Sequence, residues 1–140
     1  MNNSNDLVPD DHRLRDLLTR SKTIAVVGLS PNPLRPSHGV AAYLQHAGYR
    51  IIPVNPSCQE LLGERCYGSL AEIPEAIDIV DCFRRSEEIV PIARDAVAIG
   101  AKALWLQLGV WNDEATALAR AAGLTVVGNR CLKIEHARLF

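Results

Sequence analysis

Short, nearly unbroken apolar runs alternate with longer amphipathic ones along this chain. The runs Thr23–Val27, Arg50–Val54, Ile77–Cys82, Ala103–Gln107 and Leu124–Val127 are rich in Val, Ile and Leu. That is the pattern of strands covered on both faces, since a strand with one wet face would alternate. Between them Ser37–Ala47, Ser86–Ile99 and Asn112–Ala122 carry apolar residues at helical spacing, and Gly48, Gly100 and Gly123 stop them. Ser86 and Asn112 read as N-caps with acidic first turns, and Pro91 falls early enough in its helix to be tolerated. A leading helix is predicted over residues 10–21 and a short turn over Ser69–Glu75. Strand and helix alternating in this way predict an α/β fold: a doubly wound, mainly parallel five-stranded sheet with helices on both faces.

Composition narrows what such a sheet can do. The 140 residues are expected to make a single domain over 1–140, with residues 1–9 flexible. A net charge of -1 and an aromatic content of 5% give no footprint for nucleic acid. No apolar run approaches the roughly 20 residues needed to cross a bilayer. The polar start "MNNSNDLVPDD" lacks the regions of a signal peptide, so a cytoplasmic protein is expected. Cys58, Cys66, Cys82 and Cys131 form no CxxC pair and read as reduced thiols. Only Cys131 with His136 comes near a metal-ligand spacing, so no structural metal is expected.

In an open parallel sheet, ligands sit beyond the carboxyl ends of the strands, where the strand order reverses. The first such end reads "GLSPNPLRPSHG", residues 28 to 39. Phosphate needs close backbone amides, hydroxyl donors and a cation beside a helix N-terminus; Gly28, Ser30, Arg35 and Ser37 offer them. The alternative is a proline-stiffened surface turn with Ser37 as an ordinary cap. After the second strand, "IIPVNP" has Asn55 and Pro56 where an NAD site would carry an acidic residue for the ribose. After the third, Phe83, Arg84 and Arg85 could hold adenine by stacking, or Phe83 could close the core while the arginines pair with Glu87 and Glu88. Val110 and Trp111 are either a patch at the crevice mouth or core. His12 and His46 read as surface residues, whereas His38 lies near the ligand end.

Taken together, "IAVVGLSPNPLRPSHGVAAYL", "IIPVNP", "DIVDCFRRSEEI", "LWLQLGVWN" and "VVGNRCLKIEH" resemble the CoA-binding domain family, the small bacterial CoA-binding proteins related to the N-terminal domain of the succinyl-CoA synthetase α-subunit. The resemblance runs from Thr23 to the C-terminus and implies a Rossmann-like fold. It implies coenzyme A or acyl-CoA as ligand, with Gly28, Ser30, Arg35 and Ser37 at the diphosphate, Pro31 in the same loop, and Asn55 and Pro56 along the nucleotide. Phe83 and Arg84 would flank adenine or its ribose, Gln107 and Gly109 would follow the pantetheine arm, and Arg85 and Ser86 would be neighbours. The synthetase loop after the second strand carries a lysine for phosphate. Here "NPSCQE" has none, so Arg84 or Arg35 would take that contact.

The synthetases' catalytic histidine lies in a further domain with no counterpart in these 140 residues, so a non-catalytic small-molecule binder is the leading expectation. One rival is an NAD(P)-binding oxidoreductase-type domain. Another is a CoA-dependent acyltransferase using Cys131, with His136 lowering its thiol pKa. No protein partner is legible.

Overall fold

The computed structural model describes residues 8–140, so most of the terminus expected to be flexible lies outside the described residues. Strands β1 (Thr23–Val27) and β2 (Arg50–Val54) keep their predicted bounds. A hairpin not anticipated follows, β3 (Glu60–Leu61) and β4 (Glu64–Arg65). Then come β5 (Ile79–Cys82), β6 (Ala103–Leu106) and β7 (Thr125–Val127), each slightly shorter than its apolar run. Just before β5, Asp78 ties down the start of β1 twice: its Oδ2 accepts from the Lys22 and Thr23 amides at 2.8 and 3.1 Å, and its own amide donates to Thr23 O at 3.0 Å.

The five long strands are all parallel and run in the order β2-β1-β5-β6-β7. The chain winds outward from β1 to β2, then crosses back to place β5 on the other side of β1. The order therefore reverses between β1 and β5, and connections leaving these two strands diverge to opposite faces.

Alternation within each strand builds the two cores. Ala25, Val27, Val80, Cys82, Leu104 and Leu106 face α3 (Ile89–Ala98) and α4 (Asp113–Ala121). Ile24, Val26, Ile51, Ile79, Trp105 and Val127 face α1 (Asp11–Arg20), α2 (Pro36–His46) and α5 (Leu132–Leu139). The leading helix seals the second layer through Leu14 and Leu18, both essentially inaccessible, each contributing about 2 kcal/mol by its burial. Its cap is Asp10, whose carboxylate accepts from the Arg13 amide at 2.9 Å.

Asn112 caps α4 as predicted, accepting from the Ala115 amide at 2.9 Å. Ser86 does not cap α3. It opens a 3-10 turn over Ser86–Glu88, its Oγ accepts from the Trp111 amide, and the α-helix begins at Ile89. Pro91 then sits in the first turn, where its missing N–H leaves no bond unmade. Among the described residues no helix is long and apolar enough to cross a membrane.

Candidate functional site

The reversal between β1 and β5 opens a crevice, and Gly28 sets how narrow it is. Its φ is +87°, and a Cβ built there would stand 2.5 Å from the Phe83 carbonyl oxygen. Only glycine lets the two strand ends approach this closely. The Gly28 amide donates to Val54 O at 3.1 Å and Phe83 N to Val27 O at 2.8 Å, which fixes all three strand ends relative to one another.

Beyond Gly28 the loop is held by its own side chains. Ser37 Oγ accepts from Ser30 N at 2.9 Å, Ser30 Oγ from Asn32 N at 3.1 Å, and Asn32 Oδ1 from Leu34 N at 3.0 Å. Asn55 closes an Asx turn with Ser57 N and donates Nδ2 to Leu29 O. Ser37 is therefore no cap. It lies one residue inside α2, buried, with its hydroxyl hydrogen left to donate. Pro36 starts the helix, where a missing N–H is harmless. Arg35 stands exposed at the same terminus and makes no ion pair among the described residues.

Two depressions flank this loop. One of about 330 Å³ is lined by Gly28, Ser30, Arg35, Pro36, Ser37 and Phe83. The other, about 380 Å³, brings together Gly28, Ser30, Pro31, Asn55, Pro56 and Arg84 with the apolar Val27, Val54, Leu70 and Ile92. Nine of the thirteen residues singled out from sequence thus gather around one loop.

The remaining four line neither depression. Gln107 is buried and donates Nε2 to Asp81 Oδ1 at 2.7 Å. Gly109 donates its amide to Asn129 Oδ1 at 2.7 Å, and Ser86 Oγ holds the Trp111 amide at 2.9 Å. Arg85 extends into solvent, 3.9 Å from Glu88. Sequence reasoning passed over Gly68, Ser69, Leu70, Ile92 and Asp95 and weighed Glu88 only as a partner for the arginines; all six also line the larger cavity. Ile92 and Asp95 were within reach of such reasoning, because a spacing of three puts them on one face of α3, directly after Glu88 at its N-cap.

Two further groups bear on the chemistry. Asp81 is wholly buried on β5; Gln107 holds Oδ1, and Oδ2 has no hydrogen-bond partner among the described residues. Burial pushes its carboxyl up to about 7, against the smaller opposing pull of the Gln107 bond. His136 is committed to an aromatic cluster: the Tyr43 hydroxyl meets Nδ1 at 2.9 Å, and the ring stacks on Phe140 at 4.8 Å. Burial holds this imidazole below its usual range. No hydrogen bond joins it to Cys131 among the described residues, and Cys131 stands at the N-cap of α5. Val110 is buried, and Trp111 packs its ring over Gly128, which has no Cβ to obstruct it. His12 and His46 are exposed.

Comparison with known proteins converges on this architecture. The model of the CoA binding domain family matches residues 22–137. "Uncharacterized protein YneT" of Bacillus subtilis (strain 168) is 45% identical over 129 residues, spanning 92% of this chain and 96% of that protein. The solved structure of a hypothetical protein from Pyrococcus horikoshii OT3 superposes with a TM-score of 0.93 at 41% identity, covering 99% of this chain and 97% of that one. The ADP-forming acetate–CoA ligase I of Archaeoglobus fulgidus is 26% identical over 125 residues, but these span only 18% of the ligase.

Proposed function

This chain belongs to the CoA binding domain family, and from that premise we propose that it binds coenzyme A or an acyl-CoA in the crevice between β1 and β5, as a binding module without catalysis of its own. The observation that carries this reading is the meeting of Gly28, Ser30, Arg35, Ser37 and Phe83 around one depression at the sheet's switch point. The Ser37 amide at the start of α2, the Ser30 and Ser37 hydroxyl hydrogens and the Arg35 guanidinium, which makes no ion pair among the described residues, form a receptor for a diphosphate. The adjoining cavity, with Val54, Leu70 and Ile92 beside Asn55, Pro56 and Arg84, suits a flat base and its ribose. In this reading the pantetheine arm leaves along the Gln107–Gly109 segment, with Arg85 and Ser86 as neighbours. The same proposal puts the protein in the reducing cytoplasm, where Cys58, Cys66, Cys82 and Cys131 persist as free thiols.

Isothermal titration tests it. Heat on titrating CoA and none on titrating NAD is the expected result, because no carboxylate ends β2 to receive an unphosphorylated NAD ribose. Clear NAD binding without CoA binding would overturn the assignment.

Arg35→Ala should weaken CoA binding by about 1–3 kcal/mol, the range for losing a charge-assisted bond. That is roughly five- to 150-fold in Kd, measured by the same titration. An unchanged Kd would mean the guanidinium faces solvent in the complex.

A further inference from the structure

Arg84 is the one cation among the described residues lining the larger cavity, and it is already engaged. Its Nε and Nη2 stand 2.8 and 2.6 Å from Glu88 Oε1, four residues further along. Its stem passes close to Gly28, with Cδ 3.0 Å from the point a Cβ there would occupy. Asp95, two turns beyond Glu88, lines the same cavity and makes no ion pair among the described residues. The lining therefore sets one cation against two carboxylates. The depression beside it has the opposite character, since Arg35 is there without an acidic partner among the described residues.

The two depressions thus treat anions differently. A phosphodiester next to Arg35 meets free donors. A phosphomonoester on a ribose in the larger cavity, carrying close to two negative charges, would meet a guanidinium neutralised by Glu88 and a second carboxylate on Asp95. An unphosphorylated ribose carries no charge and meets no such repulsion.

Resting on the CoA reading above, we propose that Glu88 is a specificity-determining residue: by occupying Arg84 it withholds the cavity's cation from a ribose phosphate, so that the chain accepts CoA and dephospho-CoA almost alike. The charge that distinguishes the two ligands finds no net attraction here, whereas the diphosphate they share does.

The test is the ratio of Kd for dephospho-CoA to Kd for CoA, measured by titration calorimetry at low salt. It is taken in the wild type, in Glu88→Gln and in Glu88→Gln/Arg84→Gln. The wild type should bind the two ligands within about tenfold of each other. Glu88→Gln, which frees Arg84 while keeping the side chain's length, should raise the preference for CoA at least about threefold, and the double variant should abolish that rise. Because each ratio is taken within one protein, any unfolded fraction cancels. A wild-type preference for CoA above about tenfold, a smaller rise in Glu88→Gln, or a rise that survives in the double variant overturns the inference while leaving CoA binding intact. If the wild type binds neither ligand, the CoA reading itself fails and this inference with it.

Discussion

Asp81→Asn is expected to stabilise the fold by up to roughly 4 kcal/mol above pH 7 and to change stability little below pH 4. Asp81 is completely enclosed, and only one of its oxygens has a hydrogen-bond partner among the described residues. Ionising it in that position leaves a charge without a counter-ion in low dielectric, which is why the carboxyl titrates at about 7 in the folded chain. In the unfolded chain it titrates near 4. The folded state therefore binds more protons across that interval, so stability falls as pH rises from about 4 to 7 and stays low above it. Asparagine keeps the oxygen that accepts from Gln107 and cannot ionise.

Urea unfolding of both proteins at pH 4, 6 and 8 would expose this, with the gain growing from near zero to its maximum. His136 works in the opposite sense. Burial lowers its pKa, so its contribution is lost as pH falls below about 6.5, but it is common to both proteins and drops out of the difference. Parallel stability profiles at all three pH values would show that Asp81 is neutral or well solvated throughout. Asp81→Ala gives a useful contrast: it removes the same charge but leaves the Gln107 amide without its acceptor, and should gain less.

How much of this was readable from residues alone depends on whether the local pattern carried the same message as the tertiary fold. The five strands of the sheet were legible because burial on both faces demands unbroken apolar runs, and Thr23–Val27 and Arg50–Val54 supply them to the residue. The β3–β4 hairpin was not. Its strands are two residues each, and its turn puts Leu62 at φ 53° and Gly63 at φ 76°, a conformation signalled more often by Asn-Gly. Leucine at the first position hid it.

Helix α5 was hidden differently, because its buried set of Leu132, Glu135 and Leu139 includes a carboxylate and so breaks the apolar stripe. Only the fold explains Glu135, since Arg138 reaches it at 2.7 Å. At the site, the strand-end loops announced themselves by composition: glycine, serines and arginine directly after an apolar run. What no linear pattern could convey is which side chains are already occupied. Ser86, Gln107 and Gly109 looked as available as Arg35, yet each is bonded within the protein, and of the two readings offered for Arg84 the pairing with Glu88 is the one observed.

Gly28→Ala should prove the most damaging small substitution at the site, costing roughly 3–5 kcal/mol of stability and at least about tenfold in the CoA affinity of what remains folded. Two penalties combine. At φ +87° a side chain is strained whatever space surrounds it. The added methyl would also lie 2.5 Å from the Phe83 oxygen and 3.1 Å from its carbonyl carbon. That backbone cannot yield cheaply, because Phe83 N is bonded to Val27 O and β5 is paired on both sides. Relief must come from parting β1 and β5 at their carboxyl ends, which widens the crevice and displaces Ser30 and Arg84 together. Gly39→Ala serves as the control. Gly39 is exposed within α2, has ordinary helical φ and open space where a Cβ would go, so the same change should stabilise the fold by about 0.5–1 kcal/mol. Thermal melts of the two variants beside the wild type should therefore move in opposite directions. Equal shifts would mean that the contact between the ends of β1 and β5 does not govern the site.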